Sequence, residues 1–294
     1  MAFKLRRHLI RNIWMVLAAW PSIGFPADTT PTLTERYAKH SCAVVRIEGP
    51  QDSGTGFFIN ANGLLVTAAH VLFDRSFSKQ GNNYPITLAL HWPLNLVFQD
   101  GEKKIIARPI LEQRDADNAI FDVAAIETGL KSECFITIGN PDSTNIGDPL
   151  ISIGFPGSAA SGVLYGGFLS AKHNQVPTVV GPVKDSTEVR MVSRDVMRIQ
   201  MPITAGASGS PVIASDDTAV AIVSEIPVIW TSELSRLIQT MKNSPGGSGI
   251  MLSGFDTTVI LAQLALIVKE FESPGAGLAV PISYLKLPVK SKHQ

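Results

Sequence analysis

A single carboxylate inside an apolar run constrains this chain more than any other feature. In Ala119-Ile120-Phe121-Asp122-Val123-Ala124-Ala125-Ile126 the acid interrupts what otherwise reads as a strand. Burying an unpaired carboxylate costs on the order of several kcal/mol, so the fold must bring Asp122 a partner. A histidine whose tautomer is fixed by the carboxylate is one good answer. Asp115 and Asp117 are rival carboxylates, but they lie in the polar stretch Arg114–Asn118 without an apolar frame and read as solvated turn residues.

The chain offers such a histidine upstream. Residues 53–67 read as a strand, an Asn62-Gly63 turn and a second strand, the turn chemistry of a hairpin. His70 follows directly, in a corner of small residues, Ala68 and Ala69. Downstream, Thr204-Ala205-Gly206-Ala207-Ser208-Gly209-Ser210-Pro211 sets a serine between glycines ahead of a short apolar run. Gly206 and Gly209 suit a tight loop presenting Ser208. In such a loop the amides of Gly206 and Ser208 can point the same way and cradle a developing oxyanion. Ser210 is the rival nucleophile, although its place suits packing behind the loop.

Taken together, these stretches resemble the trypsin/chymotrypsin-like serine proteases, and most of all the bacterial HtrA (Deg) branch. The motif T-A-A-H is intact at Thr67–His70, and D-[LIV]-A-x-[LIV] matches Asp122–Ile126. The serine motif G-N-S-G-[GS]-P is met by Gly206–Pro211, with Ala207 where asparagine is usual. Gly147–Gly157 and Gly277–Ile282 look like the opening and last strands of a second barrel. The resemblance spans roughly residues 40–290 and implies an all-β fold of two six-stranded Greek-key β-barrels. Residues 28–140 would form the first barrel with His70 and Asp122, and residues 141–294 the second with Ser208.

The same resemblance implies a catalytic triad of His70, Asp122 and Ser208 and an oxyanion hole of the Gly206 and Ser208 amides. It assigns the primary pocket to Pro202, Ile203, the strand Val223-Ser224-Glu225 and the strand near 275–277. No aspartate occupies the position at the pocket base that would select Lys or Arg, and no histidine stands near Val223. The implied activity is that of a serine-type endopeptidase, cutting polypeptides after small or medium aliphatic residues through an acyl-enzyme, with no cofactor or metal. A catalytically silent binding protein of the same fold, or an esterase using the same triad, is the alternative.

The rest of the chain frames that reading. Lys and Arg balance Asp and Glu at 25 each, which gives no footprint of a nucleic-acid partner. With 24 Gly, 19 Pro and many short apolar runs, 294 residues read as a turn-rich β chain. Basic residues 4–11 followed by the uncharged run Ile13–Phe25 have the layout of a secretory signal peptide, taken as residues 1–27. An uncleaved membrane anchor is the other reading, and both place the catalytic part outside the cytoplasm. In an exported chain the even pair Cys42 and Cys134 invites a disulfide, with two separate buried thiols as the alternative.

Strands are further expected around Ile105–Ile110, at Val189–Val192 and at Met197–Met201, with a hairpin of Val212–Ala214 and Ala219–Ser224 turning at Asp216-Asp217. Against the family, about fifty residues separate Ser224 from Gly275. This insertion, at about 225–273, reads as mainly helical, with helices over Glu233–Lys242 and from about Asp256 to Phe271. The second helix is apolar enough to need covering, by the barrel or as a contact surface for a partner. Only Ser283–Gln294 follow the last strand, too few residues for the PDZ domain that HtrA proteases usually add.

Overall fold

Neighbouring residues of the apolar strands go to different cores. Val45, Phe58 and Leu65 pack with Ile47, Leu94 and Leu96, whereas the adjacent Val44, Phe57 and Val66 share a cluster with Ile151, Ile153 and Ile213. The two-residue repeat of a strand forces this division, because successive side chains leave opposite faces. One face of each hairpin therefore fills its own half, and the other joins the apolar seam between halves.

The computed structural model describes residues 31–50, 53–77, 86–111, 113–157, 159–182, 189–225, 251–252, 255–256 and 275–287. The chain divides into a unit ending at Glu35 and one running from Arg36 onward. Helix α1 is Leu33–His40; before it, the Glu35 amide donates to Thr32 Oγ1 at 3.2 Å and the Thr32 amide to Glu35 Oε2 at 2.8 Å. That reciprocal pair is a capping box. Residues 1–27, expected to be a signal peptide, lie outside the described residues. Among those described, no helix is long and apolar enough to cross a membrane.

The first half is a six-stranded antiparallel sheet ordered β7-β6-β1-β2-β3-β8. Its strands are β1 (Val44–Glu48), β2 (Ser53–Phe58), β3 (Leu64–Thr67), β6 (Asn95–Val97), β7 (Lys103–Ile105) and β8 (Ala124–Glu127). A separate hairpin pairs β4 (Phe73–Phe77) with β5 (Ile86–Leu90). The second half closes into a six-stranded barrel ordered β10-β11-β16-β13-β12-β9. It is built from β9 (Pro149–Gly154), β10 (Val163–Pro182), β11 (Val189–Gln200), β12 (Pro211–Ile213), β13 (Ala219–Glu225) and β16 (Gly277–Pro281). In each half a fourth strand returns beside the first of three, the Greek-key order expected from the sequence.

Three local expectations are revised. The strand expected over Ile105–Ile110 ends at Ile105, and β7 instead begins at Lys103. Val189–Val192 and Met197–Gln200 belong to one strand, β11, which ends before Met201; the polar residues between, Ser193–Asp195, pair with β10 in unbroken register, and the shifts in pairing lie on either side of them. Within the insertion the described residues form a short antiparallel pair, β14 (Met251–Leu252) with β15 (Phe255–Asp256), so Asp256 is extended rather than helical. The helices expected over 233–242 and 257–271 lie outside the described residues.

Cys42 and Cys134 form a disulfide with Cα atoms 5.7 Å apart, bridging 92 positions. It ties the turn before β1 to the connector between the halves.

Candidate active site

β3 ends at Thr67, and the chain turns at once into α2 (Ala69–Leu72), a single helical turn carrying His70. Ala68 and Ala69 are fully buried here, small enough to let the turn lie directly on the sheet. Asp122 arrives by a route the sequence did not reveal. Gln113–Ile120 is helix α3, where a polar turn was expected over Arg114–Asn118, and β8 begins only at Ala124. Asp122 sits between them at φ 62, in the left-handed region that aspartate tolerates better than most residues. Its amide and that of Val123 donate back to the Ala119 and Asn118 carbonyls, each at 3.2 Å, in the manner of a helix end. Asp115, expected in solvent, is buried on the same helix, while Asp117 pairs with Lys286 at 2.8 Å.

Histidine and carboxylate meet. His70 Nδ1 lies 2.9 Å from Asp122 Oδ2 and 3.0 Å from Oδ1, and the His70 amide donates to Oδ1 at 3.0 Å. The Ser224 hydroxyl donates to Oδ2 from β13. Burial alone pushes the Asp122 carboxyl up, but the imidazole charge and the hydrogen bonds from His70 and Ser224 outweigh it and hold its pKa below the ordinary value. The Asp122 side chain is 5% exposed against 43% for the His70 ring. A carboxylate on Nδ1 keeps the proton on that nitrogen and leaves Nε2 of the neutral ring without one.

The serine loop is held through its peptide groups. The Ala205 carbonyl accepts from the Gly157 amide at 2.9 Å, the Ala207 carbonyl from Ser210 at 3.0 Å, and the Ser208 carbonyl from Thr55 at 2.8 Å. The Gly209 amide donates to the Val223 carbonyl at 2.7 Å. Among the described residues the amides of Gly206 and Ser208 have no acceptor. Gly206 has φ 91, and a Cβ there would lie 2.6 Å from the Phe155 carbonyl oxygen. Gly209, at φ 89, faces Thr55, Thr67 and Ala68 so closely that a Cβ would collide with backbone. The residue after Ser208 thus rests on the segment leading to His70. That same residue is bonded to Val223, beside the serine that holds Asp122.

The sequence profile of the trypsin-like peptidase domain matches residues 54–222, more than half the chain. The chain belongs to the trypsin-like peptidase family. A probable periplasmic DegP-like serine endoprotease of Chlamydia muridarum is 28% identical over 172 residues, which cover 58% of this chain and 27% of that protein. Among solved structures, the HtrA-type protease AlgW with a bound tripeptide superposes with TM-score 0.53 at 17% identity, covering 87% of this chain and 61% of AlgW. An inactive serine-to-alanine variant of Rv3671c from M. tuberculosis gives TM-score 0.50 at 13% identity, covering 88% of this chain and 91% of that one. At such identities the structural likeness speaks for the fold alone. The chain spans only about a quarter of the DegP-like relative and under two thirds of AlgW.

Within this trypsin-like domain, the residues expected around the primary pocket divide. Ile203 and Val223 are buried in the core of the second barrel, and Pro202 is exposed. Ser224 is buried with its hydroxyl on Asp122, and the Glu225 side chain lies outside the described residues. Ser210 is fully buried, and its hydroxyl abuts Gly154 of β9, out of reach of a substrate. Sequence reasoning missed the residues that buttress the Asp122 turn. The Phe121 ring stacks on Tyr284 at 4.3 Å, Arg194 donates to the Phe121 carbonyl at 3.0 Å, and Asn118 makes two hydrogen bonds to the Lys286 backbone. None of these residues belongs to a motif, so only the folded chain reveals them.

Proposed function

We propose that this chain is an exported serine endopeptidase that hydrolyses peptide bonds through an acyl-enzyme. Ser208 Oγ attacks the scissile carbonyl while His70 Nε2 takes its proton and then delivers it to the leaving amine. Asp122 holds the proton on Nδ1 and stabilises the imidazolium that forms. The Gly206 and Ser208 amides receive the oxyanion, each contributing about 3–4 kcal/mol as in comparable sites. Water then enters by the same acid–base cycle and frees the acyl group.

The observation that carries this reading is the buried carboxylate on Nδ1 of a half-exposed histidine ring. A serine loop anchored beside both partners, with two amides that have no acceptor among the described residues, adds to it. Polypeptides are the substrate class, a reading supported by the peptide bound to AlgW. Small or medium aliphatic residues before the cut remain the preference, with Pro202, Ile203, Val223, Ser224 and Glu225 around that subsite. Export is supported by the basic and apolar leader, by the periplasmic naming of the DegP-like relative and by the Cys42–Cys134 bond, since disulfides persist in oxidising compartments.

A fluorophosphonate probe tests the reading. It is expected to label the wild-type chain and leave Ser208→Ala unlabelled, with casein cleavage lost in parallel. Labelling that persists in Ser208→Ala, or a wild type that takes no probe, would refute it. Turnover of nitrophenyl esters without casein cleavage would point to an esterase instead.

A further inference from the structure

One residue of the first half bonds to the serine loop on both sides of Ala207. Thr55, on β2, is fully buried. Its amide donates to the Ser208 carbonyl at 2.8 Å, and its hydroxyl lies 2.9 Å from the Gly206 carbonyl. The Phe155 amide donates to that same hydroxyl oxygen at 2.9 Å, and Thr67 Oγ1 donates to the Thr55 carbonyl at 2.6 Å. A hydroxyl has one proton, and because Phe155 already supplies a donor, the Thr55 proton goes to Gly206. The direction of the chain Phe155 N–H to Thr55 O–H to Gly206 C=O is therefore fixed.

We propose that Thr55 is a positioning residue of the oxyanion hole, its hydroxyl locking the Gly206–Ala207 peptide so that the flanking amides of Gly206 and Ser208 face one point. The proposal rests on the peptidase reading above. Position 207 carries alanine, fully buried, and brings no polar side chain to the loop. Gly206, at φ 91, lacks the Cβ that would restrict its own rotation. The neighbouring peptides are held by Gly157 and Ser210 through their carbonyls. For the Gly206–Ala207 carbonyl, the described partner is the Thr55 hydroxyl. The amide of the same peptide donates to the Thr204 carbonyl at 3.1 Å, so without the Thr55 bond the peptide is held at its amide alone, and its half-buried carbonyl turns about that contact to find another donor. Preorganised donors act only while they point at the developing charge, so the loss falls on the transition state and leaves substrate binding in place.

Thr55→Val keeps the shape and the backbone bonds but removes the hydroxyl; Thr55→Ser restores it. Rates are measured on an aliphatic peptide nitroanilide and referred to active sites titrated with fluorophosphonate, so that a smaller folded fraction does not count as slower chemistry. For Thr55→Val the expected result is a kcat lower by roughly ten- to a hundredfold with KM within about twofold. The inhibition constant of a peptide boronic acid, whose tetrahedral adduct places an oxygen in the hole, should rise by the same factor. Thr55→Ser should recover both to within about threefold. If Thr55→Val does not fold, Thr55→Ala against Thr55→Ser carries the same comparison. The proposal is overturned if kcat is unchanged, if Thr55→Ser is no better than Thr55→Val, or if the loss lies in KM with boronate affinity intact. A wild type that takes no fluorophosphonate overturns the hydrolase reading and this one with it; a labelled wild type with an indifferent Thr55→Val overturns this one alone.

Discussion

Among the described residues each half of the molecule holds one aspartate in the left-handed backbone region, and the two are put to opposite uses. Asp122 has φ 62 and Asp217 φ 64; both have largely buried side chains, and each lies beside a histidine. At Asp122 the histidine is His70, its side chain 43% exposed. At Asp217, in the β12–β13 turn, it is His40, 4% exposed, and two permanent cations share the carboxylate: Arg36 at 3.0 Å and Lys39 at 2.7 Å. A carboxylate neutralised by a guanidinium and an ammonium fastens chain to chain. One whose charged partner, among the described residues, is a titratable ring can tune that ring. What separates the two sites among the described residues is therefore the exposure of the histidine and the fixed cations paired with Asp217 alone, since backbone geometry and residue type are the same.

The largest expected effect breaks the pair at its chemical member. Asp122→Asn leaves the shape of the turn but presents an amide to Nδ1, which can settle the ring in the wrong tautomer. In trypsin-type triads generally this change costs about 10⁴ in kcat, and the same size is expected here. Because Asp122 is held ionised below its ordinary range, the deficit should persist as the pH is lowered toward 5. A pH–rate profile of both proteins checks this; a deficit that shrinks toward pH 5 would mean that the wild-type carboxyl is already protonating there.

The second effect concerns how the serine loop is held. The His70–Asp122 pair depends on side chains, whereas the loop depends on peptide groups and on the lack of a Cβ at Gly209. Gly209→Ala sets a methyl against the Thr55 carbonyl and the Thr67 hydroxyl, at φ 89. Strain of that kind plus overpacking amounts to roughly 3–5 kcal/mol. The expected outcome is a lower melting temperature and loss of fluorophosphonate labelling together. Asp122→Asn, by contrast, should lose activity with a smaller fall in melting temperature, since it forfeits the favourable pairing of the carboxylate but introduces no strain or overpacking.

That division also explains what could be read from the residues alone. The serine loop was legible because its geometry demands glycines, and glycines between a serine and a proline leave a visible pattern. His70 was legible from its place after a hairpin. Asp122 was legible as a buried acid, but its setting was not. Arg114–Asn118 is polar enough to read as a turn, and only packing against the sheet and the Lys286 segment makes it helix α3. Ser224 was expected near the substrate, yet nothing local to β13 says that its hydroxyl points at Asp122. Thr55 was invisible for the same reason: its partners lie 100 and 151 positions away.

The smallest effect sharpens the comparison from the structural side. Burial alone would raise the Asp217 pKa, but hydrogen bonds from Lys39, His40 and Arg36 bring it down from 3.8 to about 2. A folded pKa below the unfolded one means stability that is present in full above about pH 4 and is lost as the pH falls through about 2. The shift corresponds to about 2 kcal/mol. Asp217→Asn should therefore lower the melting temperature by roughly 4–8 °C at pH 7.5, and the gap from wild type should close between pH 4 and pH 2. His40 titrates in the opposite sense to a gripping cation: burial, above all, holds its pKa below 6.5, so the stability it carries goes as the pH falls below its ordinary range. Measuring the Asp217→Asn gap first at pH 7.5, where His40 is neutral in both proteins, keeps the two contributions apart. Per titrated active site, kcat should be that of the wild type, because the described partners of Asp217 are Arg36, Lys39, His40 and the Ala214 carbonyl, none of which bonds to His70 or Asp122. A kcat that fell with the melting temperature would show that the two left-handed aspartates are coupled, and that the fastening turn reaches the chemistry after all.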